Sequence, residues 1–207
     1  NGKDLIHSTH PLSCGVVGTY SRESANLSVK AADLVIFVGS ETSSMTTHFW
    51  TVPDEKSRVI QIDLEPENLG RNYLLEVAIQ GDAKAILARM KELAFALTNP
   101  NRTGWLKHIS KLRRDWYDKY KSLMESDSNP IRPERLCKEL SDNVPDNAVI
   151  VVDTGHAGMW MGGMFDLKHP KQNYIRSAGH LGWAFPASLG AKCALPDRAV
   201  ICFTGDA

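Results

Sequence analysis

Short apolar runs alternate with segments of helical periodicity along the first half of the chain. Three of the runs predict strands, at residues 33–39, 58–63 and 77–80. Residues 24–32 and 83–97 place apolar side chains at three- and four-residue intervals, which predicts amphipathic helices. Asp82 is positioned to cap the second of these helices. Because strands alternate with helices, the pattern predicts a doubly wound parallel sheet.

The middle of the chain, residues 99–129, follows a different pattern. Aromatic and aliphatic residues recur there at three- and four-residue steps, at Trp105, Ile109, Leu112, Trp116, Tyr120 and Leu123. This spacing predicts one long amphipathic helix. Residues 102–121 hold seven Lys or Arg against two Asp, so its outer face is basic. We interpret that face as solvated, with a docking surface for an anionic partner as the alternative.

The alternation of strands and helices resumes at residue 130. Strands are predicted at residues 148–153, 173–176 and 199–203. Helices are predicted at residues 181–195 and from the segment 130–134, with Pro133 in the first turn, to about Asn143. A turn is predicted at residues 154–158. The fold class is therefore α/β, with two doubly wound parallel-sheet units. The predicted domains are a Rossmann-like domain at 1–98, a connecting helix at 99–129 and a second domain at 130–207.

Composition narrows the class of protein. The 207 residues are 43% hydrophobic and 23% charged, as in a globular protein with a substantial core. The 24 basic residues equal the 24 acidic ones, which argues against a nucleic-acid partner. No apolar run approaches the about 18 residues of a membrane span. Four cysteines without C-x-x-C spacing are interpreted as buried reduced thiols, which favours a cytoplasmic protein.

Small-residue turns follow all three strands of the last domain, at residues 153–158, 177–182 and 204–207. The carboxyl ends of parallel strands form the usual ligand edge of such a sheet. Glycine there allows backbone N–H groups to approach an anion closely. Asp206 adds a carboxylate that could hold Mg²⁺ against phosphate oxygens. The turns therefore predict a phosphate ligand, with ordinary tight turns as the alternative.

Specific segments carry a family resemblance. They are Cys14–Gly18, Ala31–Gly39, Ile60–Pro66, Leu69–Tyr73 and Gly81–Ala83, followed by the part of the chain from about Pro130 to Gly205-Asp206-Ala207. Together they resemble the thiamine-diphosphate-dependent enzymes of the acetolactate synthase family. The earlier segments resemble that family's central domain, and the part from Pro130 resembles its diphosphate-binding domain.

The resemblance implies thiamine diphosphate and Mg²⁺ as cofactors. The implied cofactor-binding residues are Gly155, His156, Ala157, Gly179, Leu181, Gly205, Asp206 and Ala207. Asp206 would be the metal ligand. Gly179 would accept a hydrogen bond from the cofactor's 4′-amino group, and Leu181 would prop the cofactor into a bent shape. The alternatives are an ordinary turn histidine at His156 and a plain core leucine at Leu181.

The resemblance also implies a reaction. The enzyme would decarboxylate a small 2-oxo acid and transfer the acyl carbanion, as a transferase or lyase, in a homodimer or homotetramer with shared sites. Glyoxylate carboligase, sulfoacetaldehyde acetyltransferase and oxalyl-CoA decarboxylase chemistry stay open, as does a non-catalytic nucleotide- or phosphate-binding module. No catalytic residue is assigned in this chain, because the family's catalytic Glu lies in a domain before it.

Two further expectations follow from the family pattern. The chain begins without Met and stops at the end of a predicted strand, so it is expected to be a fragment that is inactive alone. Residues Gly39–Ser44 lack the Arg that the family shows there, which argues against FAD. Asp63 ends a strand as a ribose-binding acid would, but no G-x-G-x-x-G precedes it. A structural or vestigial nucleotide fold is therefore expected in the first domain.

Overall fold

The structure, a computed structural model, describes residues 2–95, 101–177 and 179–206. In chain order the elements of these residues are α1 (Glu23–Lys30), β1 (Leu34–Val38), β2 (Arg58–Asp63), a short 3-10 turn (Pro66–Asn68), β3 (Val77–Gln80), α2 (Ala83–Phe95), α3 (Thr103–Met124), α4 (Pro133–Asn143), β4 (Val149–Val152), α5 (His156–Gly163), β5 (Asn173–Arg176), α6 (Ala184–Ala194) and β6 (Val200–Phe203). The predicted strands at 58–63, 77–80 and 173–176 are confirmed at those bounds.

The chain forms two compact units. One comprises Val17–Thr19 and Asn26–His108, and the other comprises Asn1–Val16, Tyr20–Ala25 and Ile109–Ala207. We call them the β1–β3 unit and the β4–β6 unit, after the strands they contain. The predicted domain boundaries at 98/99 and 129/130 stay a prediction.

The β1–β3 unit holds a parallel sheet in the order β1-β2-β3. Leu34 pairs with Arg58, and Ile60 pairs with Val77. Helix α2 follows the third strand, and the Asp82 carboxylate accepts a hydrogen bond from the Ala85 N–H at 2.9 Å. This contact confirms the predicted N-terminal cap. Residues 96 and 97, which end the predicted second helix, lie outside the described residues.

The β4–β6 unit holds a second parallel sheet, in the order β5-β4-β6. All four residues of β4 are at most 1% exposed, because the strand is paired on both sides and covered on both faces. Ile150 and Val152 pack in a cluster with α4, α5 and the segment after α5, while Val149 and Val151 pack against α6. The alternation follows the two-residue period of a strand and confirms the α/β class.

Helix α5 was not predicted, because residues 154–158 read as a turn rich in small residues. The helix lies against the backbone of Tyr20 and Ser21, and its glycines permit that approach. A Cβ on Gly162 would lie 2.7 Å from the Tyr20 carbonyl oxygen, and one on Gly163 would lie 2.8 Å from that of Ser21. Tertiary packing therefore overrides the poor helix propensity of glycine at these positions.

Two basic side chains satisfy the carboxyl end of α5. Lys3 Nζ donates to the carbonyl oxygens of Met161 and Gly162, at 3.0 and 2.9 Å. Arg22 Nε donates to the carbonyl oxygen of Gly163 at 2.8 Å. The last carbonyls of a helix have no partner within it, and the positive charge of Arg22 also complements the helix dipole. Burial lowers the pKa of Lys3 to about 7, so Lys3 acts here mainly as a hydrogen-bond donor.

Arg22 is the centre of a buried polar cluster. Its side chain is 5% exposed, donates to Asp166 Oδ1 at 2.8 Å and lies 4.1 Å from the centre of the Trp116 ring. The Tyr117 hydroxyl donates to Asp166 Oδ2 at 2.7 Å. Burial would raise the pKa of Asp166, but the Arg22 charge and the hydrogen bonds from Tyr117 and Arg22 outweigh it and hold the pKa below its ordinary value.

Two interpretations of the sequence are corrected by the structure. The predicted helix at 181–195 begins at Ala184, because Gly182 has a φ of 76° and belongs to the preceding turn. The four cysteines are free, as expected, but only Cys137 is buried, and Cys193 is exposed on α6.

None of the described helices is both long enough and apolar enough to cross a membrane.

Replacing Asp166 with Asn should reduce stability at pH 7 by about 3 kcal/mol, because it leaves the buried Arg22 charge without its partner. The lowered pKa of Asp166 stabilises the folded chain above the ordinary pKa of an aspartate, and this contribution is lost as the pH falls below about 4. Urea unfolding between pH 7 and pH 3 should therefore be less pH-dependent in the variant. Asp146→Asn, at an exposed aspartate, is the control. Equal pH slopes for Asp166→Asn and the unmodified chain would contradict the assignment.

Replacing Gly162 with Ala should destabilise the chain by about 1–3 kcal/mol, because the new methyl group meets the Tyr20 carbonyl. Gly190→Ala in α6 is the matched control, since a Cβ there meets nothing within 4 Å. The control should be neutral or stabilising by up to about 1 kcal/mol. Thermal unfolding of both variants checks the packing of α5, which is wrong if the two glycines behave alike.

Candidate functional site

Three turns begin next to one another at the carboxyl edge of the β5-β4-β6 sheet. Val152, at the end of β4, pairs with Arg176 at the end of β5 and with Phe203 at the end of β6. The next residue of each strand therefore opens a turn at the same edge. We call these the first turn (153–155, after β4), the second turn (177–183, after β5, of which 178 is outside the described residues) and the third turn (204–206, after β6).

The first turn leads directly into α5. Gly155 has φ 72° and ψ −146°, a conformation that side chains oppose. Met159 donates the first helical hydrogen bond, to the Gly155 carbonyl oxygen at 3.1 Å. The N–H groups of His156, Ala157 and Gly158 therefore precede the first bond of the helix. These amides and the positive end of the helix dipole suit an anion.

The second turn exposes an apolar side chain at the same edge. Gly179 has a φ of 89° and Gly182 a φ of 76°, so both need glycine. Leu181, between them, is 72% exposed, and its Cδ2 lies 3.7 Å from the point where a Cβ on Gly155 would stand. Leu181 is therefore not a core leucine. It stands over the first turn with most of its surface open to a ligand.

The third turn carries the expected metal ligand. Thr204, Gly205 and Asp206 are exposed, and a Cβ on Gly205 would meet nothing within 4 Å. Ala207, the last predicted cofactor-binding residue, lies outside the described residues. Within the described ranges, no three His, Cys, Asp or Glu side chains are grouped so as to hold a metal ion. Asp206 therefore offers one carboxylate, and Mg²⁺ is commonly held by one or two carboxylates together with phosphate oxygens and water.

Sequence reasoning missed two residues that connect these turns. Asp153 and Thr154 are 2% and 8% exposed and follow directly after the fully buried strand β4. The Thr204 hydroxyl donates to Asp153 Oδ2 at 3.1 Å, and the Gly179 N–H donates to Thr154 Oγ1 at 3.3 Å. A polar pair directly after an all-apolar run was the available signal, because buried polar groups need partners.

The residues of this edge fit a diphosphate group with a divalent cation. Open glycine turns leave room for the phosphates, the amides at the start of α5 can donate to them, and Asp206 can hold the cation. The arrangement can therefore bind and orient an anionic ligand beside an exposed apolar side chain.

Asp63, at the end of β2 in the β1-β2-β3 sheet, is not open to a ligand in the way that Asp206 is. That side chain is 6% exposed, and its Oδ1 accepts from the Glu65 N–H at 3.0 Å and from Asn68 Nδ2 at 3.3 Å. Gln61, 1% exposed, donates from Nε2 to the carbonyl oxygens of Ser40 and Asn68, both at 2.9 Å. Both polar side chains thus hold the loops of their own unit, which is a structural role.

Comparison with known proteins gives two family matches. Residues 1–90 match the thiamine pyrophosphate enzyme central domain, and residues 153–207 match the thiamine pyrophosphate enzyme C-terminal TPP binding domain. All eight predicted cofactor-binding residues lie in the second match.

Curated relatives match almost the whole chain. A probable acetolactate synthase large subunit of Methanococcus aeolicus is 31% identical over 99% of this chain and 36% of its own length. The probable acetolactate synthase large subunit of Methanocaldococcus jannaschii is 32% identical over 99% of this chain and 35% of its own. Acetolactate synthase isozyme 2 large subunit of Escherichia coli K12 is 29% identical over 99% and 36%. The chain spans about a third of the length of these relatives.

Replacing Leu181 with Ala should change the free energy of unfolding by less than about 0.5 kcal/mol, because the side chain is 72% exposed. Leu167→Ala is the matched control, since that leucine is 1% exposed in the core of the same unit. The control should lose about 2–5 kcal/mol. Urea unfolding distinguishes the two leucines. If Leu181→Ala lost as much unfolding free energy as Leu167→Ala, the side chain of Leu181 would not be exposed and ligand-facing.

Proposed function

The chain belongs to the thiamine pyrophosphate enzymes, and from this membership we propose that it binds thiamine diphosphate and Mg²⁺ at the carboxyl edge of the β5-β4-β6 sheet. The proposed activity is decarboxylation of a small 2-oxo acid with transfer of the acyl carbanion, as in an acetolactate synthase. The observation that supports the site best is the meeting of three open, glycine-containing turns at adjacent strand ends.

The diphosphate would be held from two sides. The N–H groups of His156 and Ala157 lie at the start of α5, where they would donate to the diphosphate. Gly155 has no side chain, so the phosphate oxygens could approach the backbone closely. Backbone groups of Gly205 would serve from the third turn, with Ala207 as the expected next contact. Asp206 would bind Mg²⁺, and the cation would neutralise part of the phosphate charge. The side chain of His156 is exposed and so is available as a further donor.

The organic part of the cofactor would lie over the second turn. Gly179 would accept the cofactor's amino hydrogen at its carbonyl oxygen, and Leu181 would support the bent shape from beside the first turn. When bound, thiamine diphosphate supplies the electron sink for decarboxylation. The residues of this chain hold and orient it, and holding reacting groups in one geometry is itself a large part of the rate enhancement.

The remaining proposals concern the complete protein. We expect a homodimer or homotetramer in the cytoplasm, with thiamine diphosphate and Mg²⁺ but without FAD. We also keep 1–98, 99–129 and 130–207 as the proposed domains. No residue of this chain is proposed as the acid or base of the reaction. Because the chain spans about a third of its relatives, activity is to be measured on the product of the complete reading frame.

Replacing Asp206 with Asn in that product should weaken Mg²⁺-dependent binding of thiamine diphosphate by about tenfold or more, because a neutral amide is a poorer ligand for the cation. Titration calorimetry with and without Mg²⁺ measures the loss. Asp197→Asn, at another exposed aspartate of the same unit, is the control and should bind like the unmodified protein.

Three results would contradict parts of this proposal. Unchanged affinity in Asp206→Asn would remove Asp206 from the metal site. No binding of thiamine diphosphate by the unmodified protein would overturn the site as a whole. Binding without release of carbon dioxide from any of a panel of 2-oxo acids would favour the non-catalytic module over the enzyme.

A further inference from the structure

We propose that Asp153 and Thr154 are positioning residues that hold the three turns at fixed spacing. They are buried, lie at the end of the central strand and bond to residues of both neighbouring turns. The inference rests on the proposed function, because the spacing they set is that of the groups assigned to the diphosphate, the metal ion and the organic part of the cofactor.

Asp153 joins the first turn to the third. Its carboxylate is buried, and each oxygen has a partner: Oδ1 accepts from the Thr154 N–H at 2.8 Å, and Oδ2 accepts from the Thr204 hydroxyl at 3.1 Å. A buried carboxylate that loses a partner is strongly penalised, so the carboxylate favours the conformation in which Thr204 reaches it. Thr204 directly precedes Gly205 and Asp206, and its position therefore sets where these two residues lie.

Thr154 joins the first turn to the second. Its hydroxyl oxygen accepts a hydrogen bond from the Gly179 N–H at 3.3 Å. Asp153 therefore reaches the turn after β6, while Thr154, the next residue, reaches the turn after β5. Only a strand paired on both sides can connect both turns in this way, and β4 is that strand in the order β5-β4-β6.

The side-chain hydrogen bonds of Asp153 and Thr154 lie beyond the last backbone hydrogen bond between β4 and β6. The Asp153 N–H donates to the Phe203 carbonyl oxygen at 2.9 Å and continues the pairing of β4 with β6. The side-chain contacts of Asp153 and Thr154 come after this bond, so they restrain the turns and leave the sheet to its own hydrogen bonds. Thr204, Gly205 and Asp206 are exposed, and packing contributes little to fixing them.

The test removes one hydroxyl from the exposed end of the network. Thr204→Val keeps the shape of the side chain but deletes the donor to Asp153, whereas Thr204→Ser keeps the donor. Thr51→Val is the matched control, because it deletes a hydroxyl that donates to the His48 carbonyl oxygen in the β1–β3 unit. All three variants change a threonine outside the core, so folded protein is expected from each.

The first measurement needs no cofactor. NMR order parameters of the Gly205 and Asp206 amides should fall below about 0.6 in Thr204→Val, because the Thr204 hydroxyl no longer restrains the turn, and should be unchanged in Thr204→Ser and Thr51→Val. A second variant, Thr154→Val, should accelerate amide hydrogen exchange at Gly179, and Thr154→Ser should restore it. Melting temperatures measured in parallel identify any general loss of stability.

The second measurement is the affinity of the complete protein for thiamine diphosphate at saturating Mg²⁺. It should fall about tenfold in Thr204→Val and recover in Thr204→Ser, while Thr51→Val binds like the unmodified protein. A purely structural role would lower the melting temperature without this pattern of loss and rescue. Affinity is thus read separately from stability.

The outcomes separate this inference from the proposed function. Unchanged order parameters in Thr204→Val together with unchanged exchange at Gly179 in Thr154→Val overturn the positioning role, whether or not the cofactor binds. Lower order parameters or faster exchange with normal affinity also overturn it, because the hydrogen bonds would then restrain the turns without consequence for the ligand. If exchange is faster in the variants but the unmodified protein binds no thiamine diphosphate, the proposed function is overturned. The proposed role of Asp153 and Thr154 in binding that cofactor is then overturned as well.

Discussion

The parallel pairing of β4 on both sides is the constraint on which the candidate site depends. It brings the ends of three strands to one edge, so segments distant in sequence meet in a single set of turns. It also buries β4 completely, which leaves Asp153 and Thr154, just after the strand, at the boundary between core and ligand edge. Buried polar groups must find partners, and here these are Thr204 and Gly179 in the neighbouring turns.

Helix α5 connects this edge to the first residues of the chain. Its glycines allow contact with the backbone of Tyr20 and Ser21, and Lys3 and Arg22 satisfy carbonyls at its carboxyl end. The Arg22 charge at that end and the open amides at the other follow the direction of the helix dipole. An anion at the start of α5 would therefore place a negative charge at the positive end of the helix dipole, while Arg22 already places a positive charge at the negative end.

The turns that would bind the cofactor are exposed, so they lack the packing that holds a core residue in place. We therefore propose that exposed residues bind the ligand and that buried residues hold the turns. Leu181, Gly205 and Asp206 face the space for the ligand, while Asp153 and Thr154 are buried and connect the backbones that carry them. A site built in this way keeps its donors open to a ligand and still holds them at a defined spacing.

Periodicity and glycine placement are local signals, so they were enough to predict the α/β class, three strands at their observed bounds and the turns of the candidate site. The family resemblance adds Leu181 and Asp206 as cofactor-binding residues, and that assignment stays a prediction. The helix at residues 156–163 and the contact of Asp153 with Thr204 follow from the tertiary structure alone. Both depend on contacts between residues far apart in the chain, the first on the approach to Tyr20 and Ser21 and the second on the register of β4 with β6. Such contacts leave no periodic trace in the sequence, since their energy comes from neighbours that only folding brings together.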